Sequence, residues 1–434
     1  MKPFWATSAF AACLGSTSMI FGQQIEPPQV KTDKQAPVAG QKEVPALNKD
    51  LAALVEGNNQ FAFDLYRQLG QKPGNKFFSP YSISSALGMT YAGARGNTAK
   101  EMAQTLHLTL DNERLHPAFG DLIRMVQGAD KKRNYHLAVA NGLWGNKTGL
   151  SLDPKFMRIT QTDYEAGFQF VDFVNNPESA RGTINGWVEN KTKGKIKDVI
   201  GKGIVPDQTA LILVNAIYFK ADWTVMFPKA ATRPSDFTIP GTPAFKVPMM
   251  HMVFDAGYME TAGFDLAIFT YKDNEVSMVV ILPKKIDGLA EVEKHLSAKV
   301  LERSFAMARV RKAELDVKMP KFKITEEFEL GSELAKMGMK DASNKRTADF
   351  TGMQTNSQNP LFISAVAHRA FVDINEEGTE AAAATFVRGS FGPWMSRPTR
   401  PIRFHADHPF IFFVRHNATG SILFMGRISD PREK

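Results

Sequence analysis

Residues 376–385 begin a long connection near the C terminus and read Glu376-Glu377-Gly378-Thr379-Glu380-Ala381-Ala382-Ala383-Ala384-Thr385. Two predicted strands, Phe362–Ile374 and Phe410–Arg415, flank this connection, and prolines interrupt its second half. A structureless segment of roughly thirty residues inside a folded domain is uncommon and usually functional. A disordered linker or a short alanine helix is the alternative interpretation.

The chain around this connection predicts one mixed α+β domain over residues 47–434. Apolar residues recur at helical spacing from Leu51 to Leu69, and Ser79-Pro80 is typical of a helix start. The nearly continuous apolar run Ala210–Lys220 predicts a strand that is covered on both faces. Residues 417–420, Asn-Ala-Thr-Gly, predict a hairpin turn between the last two strands.

The N-terminal residues predict export. Residues 1–23 combine Lys2 with an apolar stretch and small residues, which is typical of a signal peptide. Residues 24–46 are rich in proline and predict a disordered linker. We therefore expect a secreted, extracellular or bacterial periplasmic protein. Lipid anchoring through Cys13, the single cysteine, is less favoured because Phe10 is a poor first residue of an acylation box.

The charge and hydrophobicity of the chain indicate which partners are expected. The 434 residues carry 53 Lys and Arg against 45 Asp and Glu, a formal charge of +8, but the basic residues are spread along the chain. The densest basic run, residues 131–133, is interpreted as a solvated loop, so neither nucleic acid nor another polyanion is expected as a partner. No further apolar segment is long enough to predict a membrane span.

No common catalytic signature is present. Zinc-binding H-E-x-x-H, phosphate-binding and nucleophile-elbow motifs are all missing from the sequence. His405, Asp407 and His408 are interpreted as a strand-entry turn rather than a metal site, and His368 as a core histidine. We therefore expect no catalytic residues, no metal and no cofactor.

The 376–385 stretch closely resembles the hinge of the reactive-centre loop in serpins, the serine protease inhibitors. Further motifs occur in the family's order, and the resemblance extends over residues 47–434. These motifs are residues 75–82 (NKFFSPYS), 215–223 (NAIYFKADW), 246–250 (KVPMM), 348–350 (ADF), 407–410 (DHPF) and 420–427 (GSILFMGR).

This resemblance implies an α+β fold of three β-sheets and eight or nine helices, with an exposed C-terminal loop. It also implies a monomer and a suicide mechanism. A target serine protease forms an acyl-enzyme on the loop, and the cut loop inserts into the largest sheet and traps the protease covalently. The alternative is a non-inhibitory serpin that acts as a carrier or chaperone.

The loop residues themselves favour inhibition. In a central strand, alternate residues face the interior of the protein. In an inserted loop these inward residues would be Thr379, Ala381, Ala383, Thr385, Val387 and Gly389. All are small or apolar. No proline lies between Gly378 and Gly392, so the inserted strand keeps its N–H donors.

Two further sets of residues are assigned from the resemblance. Ser79, Ser82, Asn185 and His368 match the polar latch under the central strands, and Trp223 matches the aromatic residue where insertion begins. A buried polar network of this kind is tolerated when its members pair with each other.

The position of the cut determines the target, and here the sequence departs from the family. The family's usual spacing reaches the Gly392-Pro393 bond, a poor substrate because proline lacks an N–H and crowds the leaving group. The preferred bond is Phe391-Gly392, which suits a chymotrypsin-like pocket. Met395-Ser396 is second and suits chymotrypsin-, elastase- or subtilisin-like proteases.

Overall fold

The computed structural model describes residues 47–128, 133–147, 150–203, 205, 209–355, 360–379 and 400–432. The predicted signal peptide and linker lie outside these ranges, as do residues 380–399 of the loop. The boundaries assigned at residues 23 and 46 therefore stay predictions.

Nine α-helices occur in the described residues. They are α1 Lys49–Leu69, α2 Pro80–Tyr91, α3 Gly96–Thr105, α4 Asn112–Gln127, α5 Pro154–Tyr164, α6 Pro177–Lys191, α7 Leu289–His295, α8 Ala298–Val310 and α9 Gly331–Lys336. The predicted helix starts and ends are confirmed at two places. α1 ends at the residue before Gly70, and α2 has Ser79 as its N-cap, with the side chain accepting a hydrogen bond from the Ser82 amide.

Fifteen strands complete the described fold. They are β1 Lys76–Phe78, β2 Tyr135–Asn146, β3 Phe168–Val171, β4 Leu211–Asp222, β5 Arg233–Phe237, β6 Phe245–Glu260, β7 Phe264–Thr270, β8 Val276–Pro283, β9 Lys312–Pro320, β10 Phe322–Glu329, β11 Ile363–Asn375, β12 Gly378–Thr379, β13 Ile402–His405, β14 Phe410–His416 and β15 Ile422–Ile428.

The strands form a six-stranded and a nine-stranded sheet. The six-stranded sheet has the order β10-β11-β12-β4-β2-β3, and the nine-stranded sheet has the order β1-β15-β14-β8-β7-β6-β9-β13, with β5 also paired to β6. The predicted α+β class is confirmed. Two of the three expected sheets are continuous here because β6 pairs with β5 and β9 along most of its length and with β7 at its end.

Burial explains why the central strands form. β4 is buried at nine of its first ten positions as the apolar run predicted, and every residue of β14 and β15 is buried. A large core lies on the inner face of the six-stranded sheet, and a second, smaller core lies between the outer face of this sheet and α6. The outer face of β4 is therefore already covered by a helix.

Candidate functional site

The loop begins as a two-residue strand at one end of the six-stranded sheet. β11 ends at Asn375, and β12 then runs back along it with Thr379 level with Ile374. On its other side Thr379 lies level with Ala221 of β4. From Phe371 to Ile363, β11 pairs directly with β4 in parallel. β12 is therefore the first part of a strand placed between two strands that are otherwise neighbours.

Gly378 permits this close approach of β12 to β4. Its φ is 149°, a conformation that L-residues rarely adopt, and a Cβ there would lie 2.1 Å from the Ala221 carbonyl oxygen. A residue with a side chain would push the two strands apart.

Thr379 points into the protein interior. It is 0% exposed, and its Oγ1 lies 2.8 Å from the Tyr271 hydroxyl oxygen. Burial raises the pKa of Tyr271, so this hydroxyl stays protonated. Trp223 stacks on Tyr271 with ring centroids 4.4 Å apart, and its Nε1 donates to the Asn375 carbonyl oxygen over 3.0 Å. Trp223 thus contacts both the end of β11 and the ring that contacts β12.

Two buried glutamates anchor the turn between β11 and β12. Glu376 accepts hydrogen bonds from Lys321 Nζ (2.9 Å) and Thr232 Oγ1 (2.7 Å). Burial favours the neutral acid, but these two bonds outweigh it and hold the pKa of Glu376 below its usual value. Glu377 forms an ion pair with Lys229 at 2.5 Å. The two pairs attach the start of the loop to the segment before β10 and to the connection after β4.

A buried hydrogen-bond network lies under the middle of the same sheet and joins α2, β2, β4 and β11. His368 Nδ1 donates to Asn215 Oδ1 over 2.5 Å, and the Ser79 amide donates to His368 Nε2 over 3.2 Å. Asn215 Nδ2 donates to Ser82 Oγ and Asn141 Oδ1. We call Ser79, Ser82, Asn141, Asn215 and His368 the latch. Its bond between Asn215 and His368 crosses from β4 to β11.

The latch contains a neutral histidine. His368 is fully buried, and this burial lowers its pKa to about 3. Because the Ser79 N–H points at Nε2, that nitrogen has to carry a lone pair, and the ring proton lies on Nδ1. Protonation of Nε2 would bring two donors together and break this contact.

Asn185 does not belong to the latch, which corrects the sequence assignment. Its side chain lies on α6 and bonds to the backbone of Ile200, donating through Nδ2 to the carbonyl oxygen (3.0 Å) and accepting from the amide (2.9 Å). These bonds satisfy the amide group within the covering helix and its following segment, on the outer side of the sheet. The latch amide that pairs with His368 is Asn215.

Sequence reasoning missed Asn215, Asn141 and Tyr271. A signal for Asn215 is present because it is the one polar residue within the buried run from Leu211 to Phe219. A polar side chain in such a run needs a buried partner. Asn141 and Tyr271 carry no comparable signal in the sequence, since their roles follow from strand pairing.

The remaining assigned residues lie outside the described part of the chain. They are the hinge residues Glu380, Ala381, Ala382, Ala383, Ala384 and Thr385 and the cut-site candidates Phe391, Gly392, Met395 and Ser396. The chain is described again from Arg400, and β13 pairs in parallel with β9 from Ile402 onward. The loop is thus attached to the six-stranded sheet at one end and to the nine-stranded sheet at the other.

The described residues contain no group of three or more His, Cys, Asp or Glu side chains arranged to hold a metal ion. Asp407 is instead paired with His408 at 2.9 Å and with Arg403 at 3.2 Å. Within the same part of the chain, no helix is long and apolar enough to span a membrane.

The six-stranded sheet thus holds the first residues of a long loop between two of its central strands. The comparison with family models identifies the family: the model described as Serpin (serine protease inhibitor) matches residues 56–431. The chain belongs to the serpin family.

Relatives and solved structures cover nearly the whole fold. The human leukocyte elastase inhibitor is 40% identical over 386 residues, which is 87% of this chain and 99% of the relative. Human serpin B3 is 39% identical over 87% of this chain and all of its own length. The crystal structure of Serpin48 from the insect Tenebrio molitor covers 90% of this chain and 100% of its own, with a TM-score of 0.76 and 31% identity. Human thyroxine-binding globulin in complex with thyroxine covers 88% of this chain and 99% of its own, with a TM-score of 0.78 and 32% identity.

Proposed function

We propose that the protein is an inhibitory serpin, a suicide substrate that traps serine proteases covalently by inserting its cleaved loop into the six-stranded sheet. The observation that carries this proposal is β12, which already lies antiparallel to both β11 and β4 with a buried threonine between them. A strand that continues in this register would be hydrogen-bonded on both sides, whereas the uncut loop is tethered at β13.

The register of β12 supports insertion residue by residue. Continued along the sheet, it brings Thr385 level with both Asn215 and His368. Thr385 belongs to the inward-facing set, so its hydroxyl would arrive at the latch, where insertion separates these two partners. A hydroxyl both donates and accepts, and it therefore offers each separated group a new hydrogen bond. The smaller Ala381 and Ala383 would pass the neighbouring core positions without overpacking.

The same register bears on the scissile bond. β4 ends at Leu211, which is level with Gly389 when the register is continued. A cut after Phe391 leaves two residues beyond the end of β4, and a cut after Met395 leaves six. With only two residues between the end of the inserted strand and the cut, the acylated residue and its protease are held close to the sheet. This favours Phe391-Gly392, with Met395-Ser396 as the second candidate.

The target class follows from these side chains. Phe391 suits a chymotrypsin-like pocket, and Met395 suits chymotrypsin-, elastase- or subtilisin-like pockets. Leukocyte elastase inhibitors of several vertebrates are about 40% identical to this chain, which supports an elastase-like or chymotrypsin-like target. We further propose that the inhibitor is exported through residues 1–23 and acts as a monomer.

Incubation with chymotrypsin, neutrophil elastase and subtilisin tests the function. We expect a complex that survives boiling in SDS and a released C-terminal peptide that begins at Gly392 in its mass spectrum. A peptide that begins at Ser396 supports the second bond. Complete cleavage without any SDS-stable complex, across all three proteases, would refute inhibition.

A carrier function is the second candidate. It is favoured by one observation, the similarity to thyroxine-binding globulin, whose solved structure contains bound thyroxine. A carrier does not need its loop to insert after cleavage. The thermal stability of the cleaved chain therefore separates the two functions.

A further inference from the structure

The exposed surface of α8 and the two residues that follow it carry basic side chains that have no part in the proposed insertion of the loop. These are Lys299, Arg303, Arg309, Arg311 and Lys312, all of them exposed. None of the five side chains forms a hydrogen bond or ion pair with another residue in the described part of the chain. The one acidic residue of α8, Glu302, pairs with Arg415 at 3.0 Å. The surface of this helix therefore has a large excess of positive charge.

Two apolar side chains stand among these cations. Met307 is 59% exposed and Val310 is 81% exposed. They are three residues apart on the helix and so share a face, and Met307 follows Arg303 by four residues. The opposite face of α8, with Leu301, Phe305 and Ala308, packs into the core. Folding therefore leaves this cationic and apolar face uncovered among the described residues.

We propose that this face of α8 docks the protein on an anionic lipid bilayer. Met307 and Val310 would enter the interface between lipid headgroups while the surrounding cations contact the lipid phosphates and carboxylates. A sulfated polysaccharide would also attract the cations, but it offers no apolar region to the two exposed side chains, so the bilayer matches more of the surface. α8 packs on β6 and β7 of the nine-stranded sheet, and docking leaves the hinge between β11 and β4 free. The consequence is an inhibitor held at a membrane surface.

Co-sedimentation of the full chain with vesicles tests this docking. We expect binding to phosphatidylcholine vesicles with 30% phosphatidylserine and none to pure phosphatidylcholine. Each basic residue near an anionic surface strengthens binding by roughly fivefold. Lys299→Gln with Arg303→Gln, the two cations on the same face as Met307 and Val310, should therefore weaken binding by about 25-fold. The matched control is Lys191→Gln with Lys193→Gln, which removes two exposed cations at the end of α6 and should have little effect.

A second pair of double variants tests the contribution of the two apolar side chains to vesicle binding. Met307→Ser with Val310→Ser should weaken vesicle binding, whereas Val174→Ser with Val225→Ser, at 58% and 45% exposed valines elsewhere, should not. All variants should keep the wild-type melting profile and the wild-type rate of loop cleavage in solution. Vesicle binding that is equal in wild type and α8 variants overturns the proposal. The proposal is also overturned if the protein binds immobilised heparin but not vesicles, since the surface would then bind a polysaccharide.

Discussion

At the scale of one residue, Thr379 marks the point from which the proposed insertion would start. Its side chain is fully buried against Tyr271. If β12 is extended on insertion, strand alternation predicts Glu380 on the outer side and Ala381 on the inner side. A large charged residue should thus be excluded at one position and accepted at its neighbour.

Substitution of these two neighbours tests the insertion step. We expect Thr379→Arg to convert the inhibitor into a substrate. Burying an unpaired guanidinium beside Tyr271 costs several kcal/mol, so the arginine should displace β12 from the sheet before cleavage. Its return during insertion should then be slower by on the order of a hundredfold or more. Glu380→Arg carries the same side chain on the solvent side and should remain an inhibitor. Titration of protease against each variant, with gels for the SDS-stable complex, gives the ratio of complex to cleaved chain. An unchanged ratio in Thr379→Arg would contradict the inward position of residue 379.

The latch operates at the scale of elements, because it joins one helix to three strands. The proposed insertion would separate β4 from β11, and the hydrogen bond between Asn215 and His368 is the side-chain contact of the latch that crosses this boundary. Since His368 is held neutral, the latch should weaken in acid.

The expected pH dependence follows from the lowered pKa of His368. Burial moves this pKa from 6.5 to about 3, so between these values the unfolded chain binds a proton that the folded chain does not. The free energy of unfolding should therefore fall as the pH falls from about 6.5 towards 3, by up to about 1.4 kcal/mol per pH unit from this residue. Urea midpoints measured at several pH values would follow this loss.

Two variants isolate the contribution of His368. Burial also lowers the pKa of His116, to about 4, and the pKa values of His136 and His405, so the wild-type profile contains all of these groups. His368→Gln removes one of them and should give a shallower pH profile with lower stability at neutral pH. His295→Gln is the control for loss of a surface histidine, and it should leave the stability at neutral pH near that of the wild type. Parallel profiles for wild type and His368→Gln would show that the latch histidine does not carry the acid sensitivity.

At the scale of the whole molecule, a cut loop should add a central strand to the six-stranded sheet. The added strand would gain about ten backbone hydrogen bonds, and each would stabilise the folded state by roughly 1 kcal/mol. Part of this gain is offset by the entropy of ordering the loop.

Thermal unfolding before and after cleavage measures this gain. We expect the midpoint of the cleaved wild type to rise by on the order of 10 °C or more. Cleaved Thr379→Arg should stay near the midpoint of the uncleaved chain, since its loop does not enter the sheet. An unchanged midpoint in cleaved wild type would favour the carrier function.

The sequence was sufficient for those features that local chemistry dictates. The predicted ranges Ala210–Lys220 and Phe410–Arg415 match β4 and β14 to within two residues, and the Ser79-Pro80 pair predicted the start of α2. The small or apolar residues at alternate positions from Thr379 to Gly389 favour an inserting loop, and this insertion stays a prediction.

Contacts between distant segments required the folded structure. Asn185 and Asn215 are both buried asparagines, and strand pairing alone brings Asn215 beside His368, 153 residues away, while Asn185 turns to Ile200. The sequence gives the residue types and the local spacing of apolar residues. A hydrogen bond across a sheet also depends on which strands are neighbours and on their register. For the same reason, the position of Thr379 between β11 and β4 follows from tertiary pairing, and with it the prediction that Thr385 reaches the latch.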